Sequence, residues 1–211
     1  MLTLFGSAGS GSAAVELALL RCGLPYRVQR AATWEADSAR AELQQVNPLG
    51  QVPALQTEDG SVLTESAAIL IHLGLTHPTS GLLPADPAAR AQAIRGLVFI
   101  AANCYAAIGV IDYPERWCAA GADSATLDSV RQGARARLHH YWDLFADQFG
   151  SDQPYLGGQQ PAALDFLAAV VSRWSGARKH LRTSRPELLA SLERVEAHPL
   201  AAPVFARHWP G

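Results

Sequence analysis

The sequence predicts an α/β domain in its N-terminal half and an all-helical domain in its C-terminal half. Short apolar runs alternate with helical patterns over the first part of the chain, in the order β-α-β-α-β-β-α. Strand patterns vanish after a segment rich in proline, residues 77–87. We therefore expect an α/β domain over residues 1–76, a linker over residues 77–87 and a helical-bundle domain over residues 88–211.

The first three elements form a strand–helix–strand unit. Residues 2–5 are a short apolar run that predicts a buried strand, and a turn-forming Gly/Ser loop follows it. Residues 13–22 are rich in Ala, Leu and Val, and Gly23 is typical of a helix C-cap. Apolar and polar residues alternate over residues 26–31, which predicts a second strand. A right-handed crossover makes the two strands parallel neighbours.

The remainder of this half predicts two short strands between two helices. Residues 34–46 are polar and predict a loop with a short helix. A third strand is expected over residues 52–56, with Pro53 at its head, and a fourth at residues 62–63, after the hairpin signal at residues 58–60. Thr64 is a candidate cap for a helix that runs to about residue 75.

The C-terminal half predicts only helices. The expected helical segments are residues 88–120, 124–149, 161–179, 186–197 and 200–208.

Composition and charge restrict the classes of function. The 211 residues carry a net charge of -2 with no block of like charges, which does not favour nucleic acid or an anionic membrane as a partner. No uninterrupted apolar run approaches the roughly 20 residues of a membrane-spanning helix. Cys22, Cys104 and Cys118 are far apart and odd in number, without metal-binding spacing. We expect free thiols, no metal and a reducing cytoplasm.

Three features of the α/β half suggest chemistry. The Gly/Ser loop opens the first helix, whose N-terminus favours an anion such as a thiolate; a hydroxyl there can lower a thiol's pKa. If the Val52–Pro53 bond is cis, the Val52 backbone can pair with an extended peptide. Glu65 and Ser66 open a helix where a carboxylate and an ammonium group can bind. Taken singly, these features also fit a turn, a strand-edge proline and a helix cap.

Together these features resemble the glutathione transferase (GST) family. The string NPLGQVPALQTEDGSVLTESAAILIHL, residues 47–73, is similar to the family signature of Val before a cis-proline, followed by an acidic residue and Ser that open a helix. The order of elements matches the family's thioredoxin-like domain and its helical second domain over essentially the whole chain. The resemblance suggests a bacterial-type cytosolic member with a serine-containing first loop.

The resemblance implies a glutathione site. Val52 pairs with the cysteinyl backbone beside cis-Pro53, while Glu65 and Ser66 hold the γ-glutamyl end, and Gln51 lies near the glycyl end. Family members use Tyr, Ser or Cys in the first loop, and this loop has neither Tyr nor Cys.

The choice of catalytic residue depends on which class of the family sets the register. The delta-like serine pattern falls on Ser10, the theta- and zeta-like spacing on Gly9 and the beta-class cysteine on Gly11. We therefore expect Ser10 to be catalytic. Its alternatives are Ser12, Ser7 and a backbone N–H of the loop.

The resemblance also implies an electrophile pocket between the domains. Its candidate residues are Asn103, Cys104, Tyr105, Ile108, Tyr113 and Trp117. Trp34 lies in a polar segment, which fits either an exposed functional residue or one packed under the loop.

The expected activity is conjugation of glutathione to a hydrophobic electrophilic small molecule by a cytoplasmic homodimer. Three alternatives stay open: a non-catalytic ligand-binding or protein-interaction module, a glutathione-dependent isomerase or dehalogenase, and a disulfide reductase. Members of the family also carry a Ser or Thr three residues before a buried Asp; here Asp165 fits, but Ala162 replaces the hydroxyl.

Overall fold

The N-terminal half is built on a four-stranded mixed sheet. The computed structural model describes residues 1–32, 34 and 37–210. The strands are β1 (Leu2–Gly6), β2 (Tyr26–Arg30), β3 (Ala54–Gln56) and β4 (Val62–Thr64), in the order β2-β1-β3-β4. β1 is parallel to β2 and antiparallel to β3, and β4 is antiparallel to β3. The predicted strand order along the chain and the parallel first pair are confirmed.

Three helices accompany the sheet: α1 (Ser12–Arg21), α2 (Arg40–Val46) and α3 (Ser66–Thr76). α1 ends as predicted at Gly23, which has a φ of 66°. The N–H of Gly23 donates to Leu20 O and the N–H of Leu24 donates to Leu19 O, both at 3.0 Å. This pair of bonds satisfies the last carbonyls of the helix.

The C-terminal half is all helical, as predicted. Its helices are α4 (Pro87–Phe99), α5 (Ala106–Asp112), α6 (Ser124–Phe149), α7 (Ala163–Val171), α8 (Ala177–Ser184), α9 (Pro186–Ala197) and α10 (Ala202–His208). The fold is therefore the thioredoxin-like α/β unit with a helical second half that the sequence predicts. The division into two domains at residues 77–87 stays a prediction, although this segment does hold the connection between α3 and α4.

Two predicted helices are wrong in their extent. The helix expected over residues 88–120 ends at Asp112, because Pro114 cannot continue it, and a 3₁₀ turn, Pro114–Trp117, follows. The helix expected over residues 161–179 is two helices, α7 and α8. Ser175 and Gly176, with φ angles of 54° and 81°, interrupt it in the left-handed region.

α4 and α5 are joined by a π-helical segment, Ile100–Tyr105, into one continuous helix of 26 residues, Pro87–Asp112. By length and composition alone this helix could cross a membrane. Only uninterrupted apolar runs were considered in the sequence, and this helix was therefore not identified there. In this structure it packs against α6 and α7. A helix of a protein core passes the same test of length and composition.

The two halves share a hydrophobic core centred on α1. α1 contacts α3, α7 and α10, so that both halves bury the same helix. Leu17 and Leu19 of α1, and Leu167 of α7, are fully buried in this core. The N-terminus of α1 therefore lies at the boundary between the halves, and the candidate site opens there.

Candidate functional site

The site is a cleft of about 620 Å³ between the two halves. The α/β half contributes the first loop, the segment before β3 and the start of α3. The helical half contributes the π-helical segment, α5 and the 3₁₀ turn after it. The cleft brings together all of the predicted glutathione-binding residues, Gln51, Val52, Pro53, Glu65 and Ser66, with Ser10 of the first loop.

The hydroxyls of Ser10 and Ser12 form hydrogen bonds within the first loop. Ser10 Oγ donates to Ser7 O at 2.8 Å and lies 2.9 Å from Ser12 Oγ. It also accepts the N–H of Ser12 at 3.2 Å. Ser7 and Ser12 are buried and do not line the cleft, and Ser7 Oγ has no partner among the described residues. The catalytic role predicted for Ser10, with Ser12 and Ser7 as alternatives, stays a prediction.

The backbone of Val52 lies at the cleft. The Val52–Pro53 bond is cis, and both residues precede the ladder of β3. Within the described part of the chain, the N–H and C=O of Val52 make no hydrogen bond. The side chain of Asn47, which the sequence analysis did not single out, holds the preceding turn: its Nδ2 donates to Gln51 O at 2.8 Å, and its Oδ1 accepts from Leu49 N at 3.2 Å.

Glu65 and Ser66 open α3, one residue later than the predicted cap at Thr64. Glu65 is the N-cap, with φ 65° and ψ 111°, a backbone conformation that is costly for a non-glycine residue and is found at ligand clamps. Its side chain is exposed and forms no ion pair with any described residue. Ser66 is only 8% exposed and lies in the first turn, beside the positive end of the helix dipole.

The opposite wall of the cleft is aromatic and aliphatic. Four of the predicted electrophile-pocket residues line it: Tyr105, Ile108, Tyr113 and Trp117. Trp34 also lines the cleft and is 60% exposed. The guanidinium carbon of Arg116 lies 3.9 Å from the centre of the Tyr113 ring, which places a cation at the same wall.

Asn103 and Cys104, the other two predicted pocket residues, do not line the cleft. Asn103 Nδ2 donates to Phe99 O at 3.0 Å on its own helix. Cys104 is fully buried in the hydrophobic core, and burial raises the pKa of its thiol to about 12. The helix turns Tyr105 and Ile108 toward the cleft and these two residues away from it.

Several cleft residues were missed by the sequence analysis. Trp174 reaches the cleft from the break between α7 and α8, and its ring centre lies 5.6 Å from that of Tyr105. Asp112 ends the long helix, and Arg116 lies in the 3₁₀ turn that follows it. Burial raises the pKa of the Asp112 carboxyl. No local pattern in the sequence marks Trp174 as a site residue. Trp174 reaches the cleft because of the break between α7 and α8, where the sequence predicts one continuous helix.

The electrostatics of the cleft keep Tyr105 protonated. Burial raises the pKa of Tyr105, a nearby charge on Glu65 raises it further, and a contact with the Ser66 hydroxyl opposes both. The phenol is therefore a hydrogen-bond donor at neutral pH. Across the part of the chain that the structure describes, His, Cys, Asp and Glu side chains form no cluster of three or more that could hold a metal ion.

The chain is similar to known proteins over most of its length. Residues 12–75 match the family described as glutathione S-transferase, N-terminal domain. The "Uncharacterized GST-like protein YncG" of Escherichia coli (strain K12) is 26% identical over 209 residues, which is 99% of this chain and 98% of that protein. A "Probable maleylacetoacetate isomerase" of Caenorhabditis elegans is 45% identical over 58 residues, 28% of this chain and 27% of that protein.

A solved structure extends the similarity to the whole fold. A glutathione transferase homologue from Sulfitobacter, crystallised with bound glutathione, superposes with a TM-score of 0.84 at 26% identity, over 97% of this chain and 96% of that one. The domain match, the full-length relative and this structural neighbour agree with the cleft geometry. The chain therefore belongs to the glutathione S-transferase superfamily.

Proposed function

We propose that this chain is a glutathione transferase, which binds glutathione in the cleft and conjugates its thiolate to a hydrophobic electrophilic small molecule. The observation that carries the proposal is the meeting of four features in one cleft. These are the peptide edge at Val52, which is unpaired among the described residues, the start of α3 at Glu65, the start of α1 at Gly11 and an apolar wall that faces them.

Each end of glutathione has a matching group. The N–H and C=O of Val52 are suited to pair with the cysteinyl peptide, as an added strand pairs with a sheet edge. Ser66 and the dipole of α3 suit the γ-glutamyl carboxylate, and the Glu65 carboxylate suits the ammonium group. Gln51, at the rim of the cleft, is the candidate for the glycyl end.

The reaction forms a sulfur–carbon bond and expels the leaving group of the electrophile. A ligand thiol paired at Val52 lies toward the N-terminus of α1, where the helix dipole favours the thiolate over the thiol. A larger thiolate fraction at neutral pH means more nucleophile. The wall of Tyr113, Trp117 and Trp34 then holds an apolar electrophile against the sulfur, so that the reaction becomes effectively unimolecular.

The proposal is tested by conjugation of glutathione to chlorodinitrobenzene, which releases chloride. We expect wild type to catalyse this reaction and Glu65→Gln to lower kcat/KM about tenfold, because one charge-assisted contact to the ammonium group is lost. Glu193→Gln, which changes an exposed carboxylate on α9, is the matched control and should behave as wild type.

A second thiol substrate tests the proposed site for the γ-glutamyl end. Cysteinylglycine lacks the γ-glutamyl end, so wild type and Glu65→Gln should react with it at the same low rate. If wild type uses both thiols equally well, the proposed site for the γ-glutamyl end is wrong. If glutathione binds but no electrophile is conjugated, the non-catalytic binding module is the better description.

One comparison favours a second candidate, a glutathione-dependent isomerase. The stretch that is 45% identical to a probable maleylacetoacetate isomerase covers 58 residues. An isomerase of this kind needs the same thiol site and differs in the apolar wall. Conversion of maleylacetoacetate that depends on glutathione, without its consumption, would support this alternative. The expected homodimer and cytoplasmic location stay predictions, and sedimentation velocity tests the first.

A further inference from the structure

Tyr105 reaches from the helical half into the start of α1. A Cβ built on Gly11 would overlap the Tyr105 hydroxyl and would lie 3.3 Å from Ser66 Oγ. Gly11 is the N-cap of α1, so the phenol oxygen lies against the backbone at the positive end of that helix. The hydroxyl fills the space that any side chain at position 11 would occupy, including the cysteine that beta-class members of the family place there.

The hydroxyls of Ser10 and Ser12 are engaged in hydrogen bonds within the first loop. The Ser10 hydroxyl donates its single proton to Ser7 O at 2.8 Å. Ser12 Oγ lies 3.3 Å from the same carbonyl and 2.9 Å from Ser10 Oγ. For Ser10 to donate to a ligand, its hydroxyl would have to leave Ser7 O, which also accepts from the Ser10 N–H at 3.2 Å and from the Ser12 hydroxyl at 3.3 Å.

Two other donors lie at the same place, the Gly11 N–H and the Tyr105 hydroxyl, which contacts the Ser66 hydroxyl. The N–H of Gly11 donates to no acceptor among the residues that the structure describes. The Tyr105 phenol keeps its proton at neutral pH, since burial raises its pKa. Its ring is fixed by the π-helical segment that Tyr105 ends and by Trp174, whose ring centre is 5.6 Å away. π-Helical segments are frequent at functional sites.

We propose that the Tyr105 hydroxyl, together with the Gly11 N–H, donates the hydrogen bonds that stabilise the glutathione thiolate, in the role predicted for Ser10. This inference rests on the proposed function, because it assigns a residue to the thiol of the same bound glutathione. A neutral phenol that donates to sulfur favours the thiolate over the thiol and stays protonated throughout. The thiol-activating side chain then comes from the helical half rather than from the first loop.

The test is the pKa of the thiol of bound glutathione, read from thiolate absorbance in the ultraviolet as the pH of the saturated complex is varied. We expect wild type to hold this pKa below that of free glutathione. Tyr105→Phe removes only the hydroxyl and should raise the bound-thiol pKa by about one pH unit, with a ten- to hundredfold lower kcat/KM at neutral pH. Ser10→Ala should leave the bound-thiol pKa as in wild type.

Two further variants separate the hydroxyl from its surroundings. Gly11→Ala places a methyl group in the space of the phenol oxygen, so it should raise the same pKa although Tyr105 is intact. Tyr155→Phe removes a phenol oxygen outside the cleft and should match wild type. Circular dichroism and calorimetric affinity for glutathione show whether each variant folds and binds.

The outcomes separate this inference from the proposed function. If wild type lowers the thiol pKa and Tyr105→Phe lowers it equally, the role of Tyr105 is overturned while the proposed function stands. A rise in Ser10→Ala alone would return the role to the serine. If wild type binds no glutathione, the proposed function fails and the role of Tyr105 falls with it.

Discussion

Burial decides the chemistry of the three cysteines one residue at a time. Cys104 is fully enclosed by core side chains, and burial raises the pKa of its thiol to about 12. Cys22 and Cys118 are partly exposed, and burial also raises the pKa of Cys22, although less. Since the thiolate is the reactive form, Cys104 is a small hydrophobic residue of the core rather than a nucleophile near the ligand.

We predict that Cys104 does not react with a thiol reagent in the folded protein. Titration of native protein with Ellman's reagent should give the same number of reacting thiols for wild type and Cys104→Ala. Cys118→Ser is the control and should lower that number. In denaturant, Cys104→Ala should also give fewer reacting thiols than wild type. Rapid reaction of Cys104 in native protein would contradict its placement in the core.

At the scale of single residues, site residues could be predicted from the sequence where they lie close together along the chain. Val52, Pro53, Glu65 and Ser66 lie within one short string, so their types and spacing could be recognised together. Tyr105 was expected in the electrophile pocket, but its approach to Gly11 depends on how two halves of the chain pack. No sequence pattern within either half predicts the distance between the Tyr105 hydroxyl and Gly11.

A single carboxylate organises the start of α7. Asp165 is fully buried and accepts hydrogen bonds from the N–H groups of Leu156 at 2.7 Å, Gly157 at 3.0 Å and Ala162 at 3.0 Å. Burial raises the pKa of Asp165 to about 6, although the three backbone donors oppose this. Ala162 is the N-cap and cannot return a side-chain bond, so only the acidic half of a capping box is present.

We predict that Asp165→Asn lowers the free energy of unfolding by about 1–3 kcal/mol. An amide offers one acceptor oxygen instead of two, and its NH₂ group would face a backbone donor that needs a partner. Urea denaturation measures the change, with Asp152→Asn as the control at an exposed carboxylate. Equal stability of Asp165→Asn and wild type would show that the buried carboxylate does not hold this turn.

At the scale of elements, helix identity was easier to predict than helix ends. α6 and α9 have the bounds that their patterns predict, residues 124–149 and 186–197. The break between α7 and α8 was missed, although Gly176 was available as a signal, because an isolated glycine is also tolerated within a helix. That break places Trp174 in the cleft. Because the break was not predicted, Trp174 was not predicted as a site residue.

The last helix fastens the two halves of the molecule together. Glu16 of α1 is 4% exposed, and its carboxylate lies 2.6 Å from His208 Nε2 and 2.9 Å from Arg207 Nη2, both of α10. The Tyr26 hydroxyl donates to the same carboxylate at 3.1 Å. Burial would raise the pKa of Glu16, but the hydrogen bonds and charges of His208 and Arg207 outweigh it, so the pKa lies below its ordinary value.

We predict that Glu16→Gln destabilises the protein by about 1–3 kcal/mol near neutral pH, because charge-assisted hydrogen bonds are lost in a buried setting. A carboxyl whose pKa is lowered by folding contributes stability that is present above its ordinary value, 4.5, and is lost as the pH falls through its folded value. The difference in stability between wild type and Glu16→Gln should therefore shrink below pH 4.5.

Urea denaturation at several pH values measures this difference. Glu193→Gln, at an exposed carboxylate, should match wild type at every pH. A difference between wild type and Glu16→Gln that is independent of pH would mean that the Glu16 charge does not fasten α10 to α1.

At the scale of the whole molecule, the order of elements was sufficient to predict the fold, but not the contacts between the halves. Glu16 looked like an ordinary helix residue in the sequence, and its partners lie near the other end of the chain. Such pairs of distant charges depend on packing, which no local spacing encodes. The cleft has the same origin, since it exists only where α1, α3 and the long helix meet.

Calorimetric titration tests whether this cleft binds glutathione. We predict that wild type binds with a Kd between micromolar and millimolar, about -8 to -4 kcal/mol. Ser66→Ala should bind about tenfold more weakly, and Ser129→Ala, at an exposed serine of α6, should bind as wild type does. If wild type does not bind, or if Ser66→Ala binds equally well, the cleft does not hold glutathione as proposed.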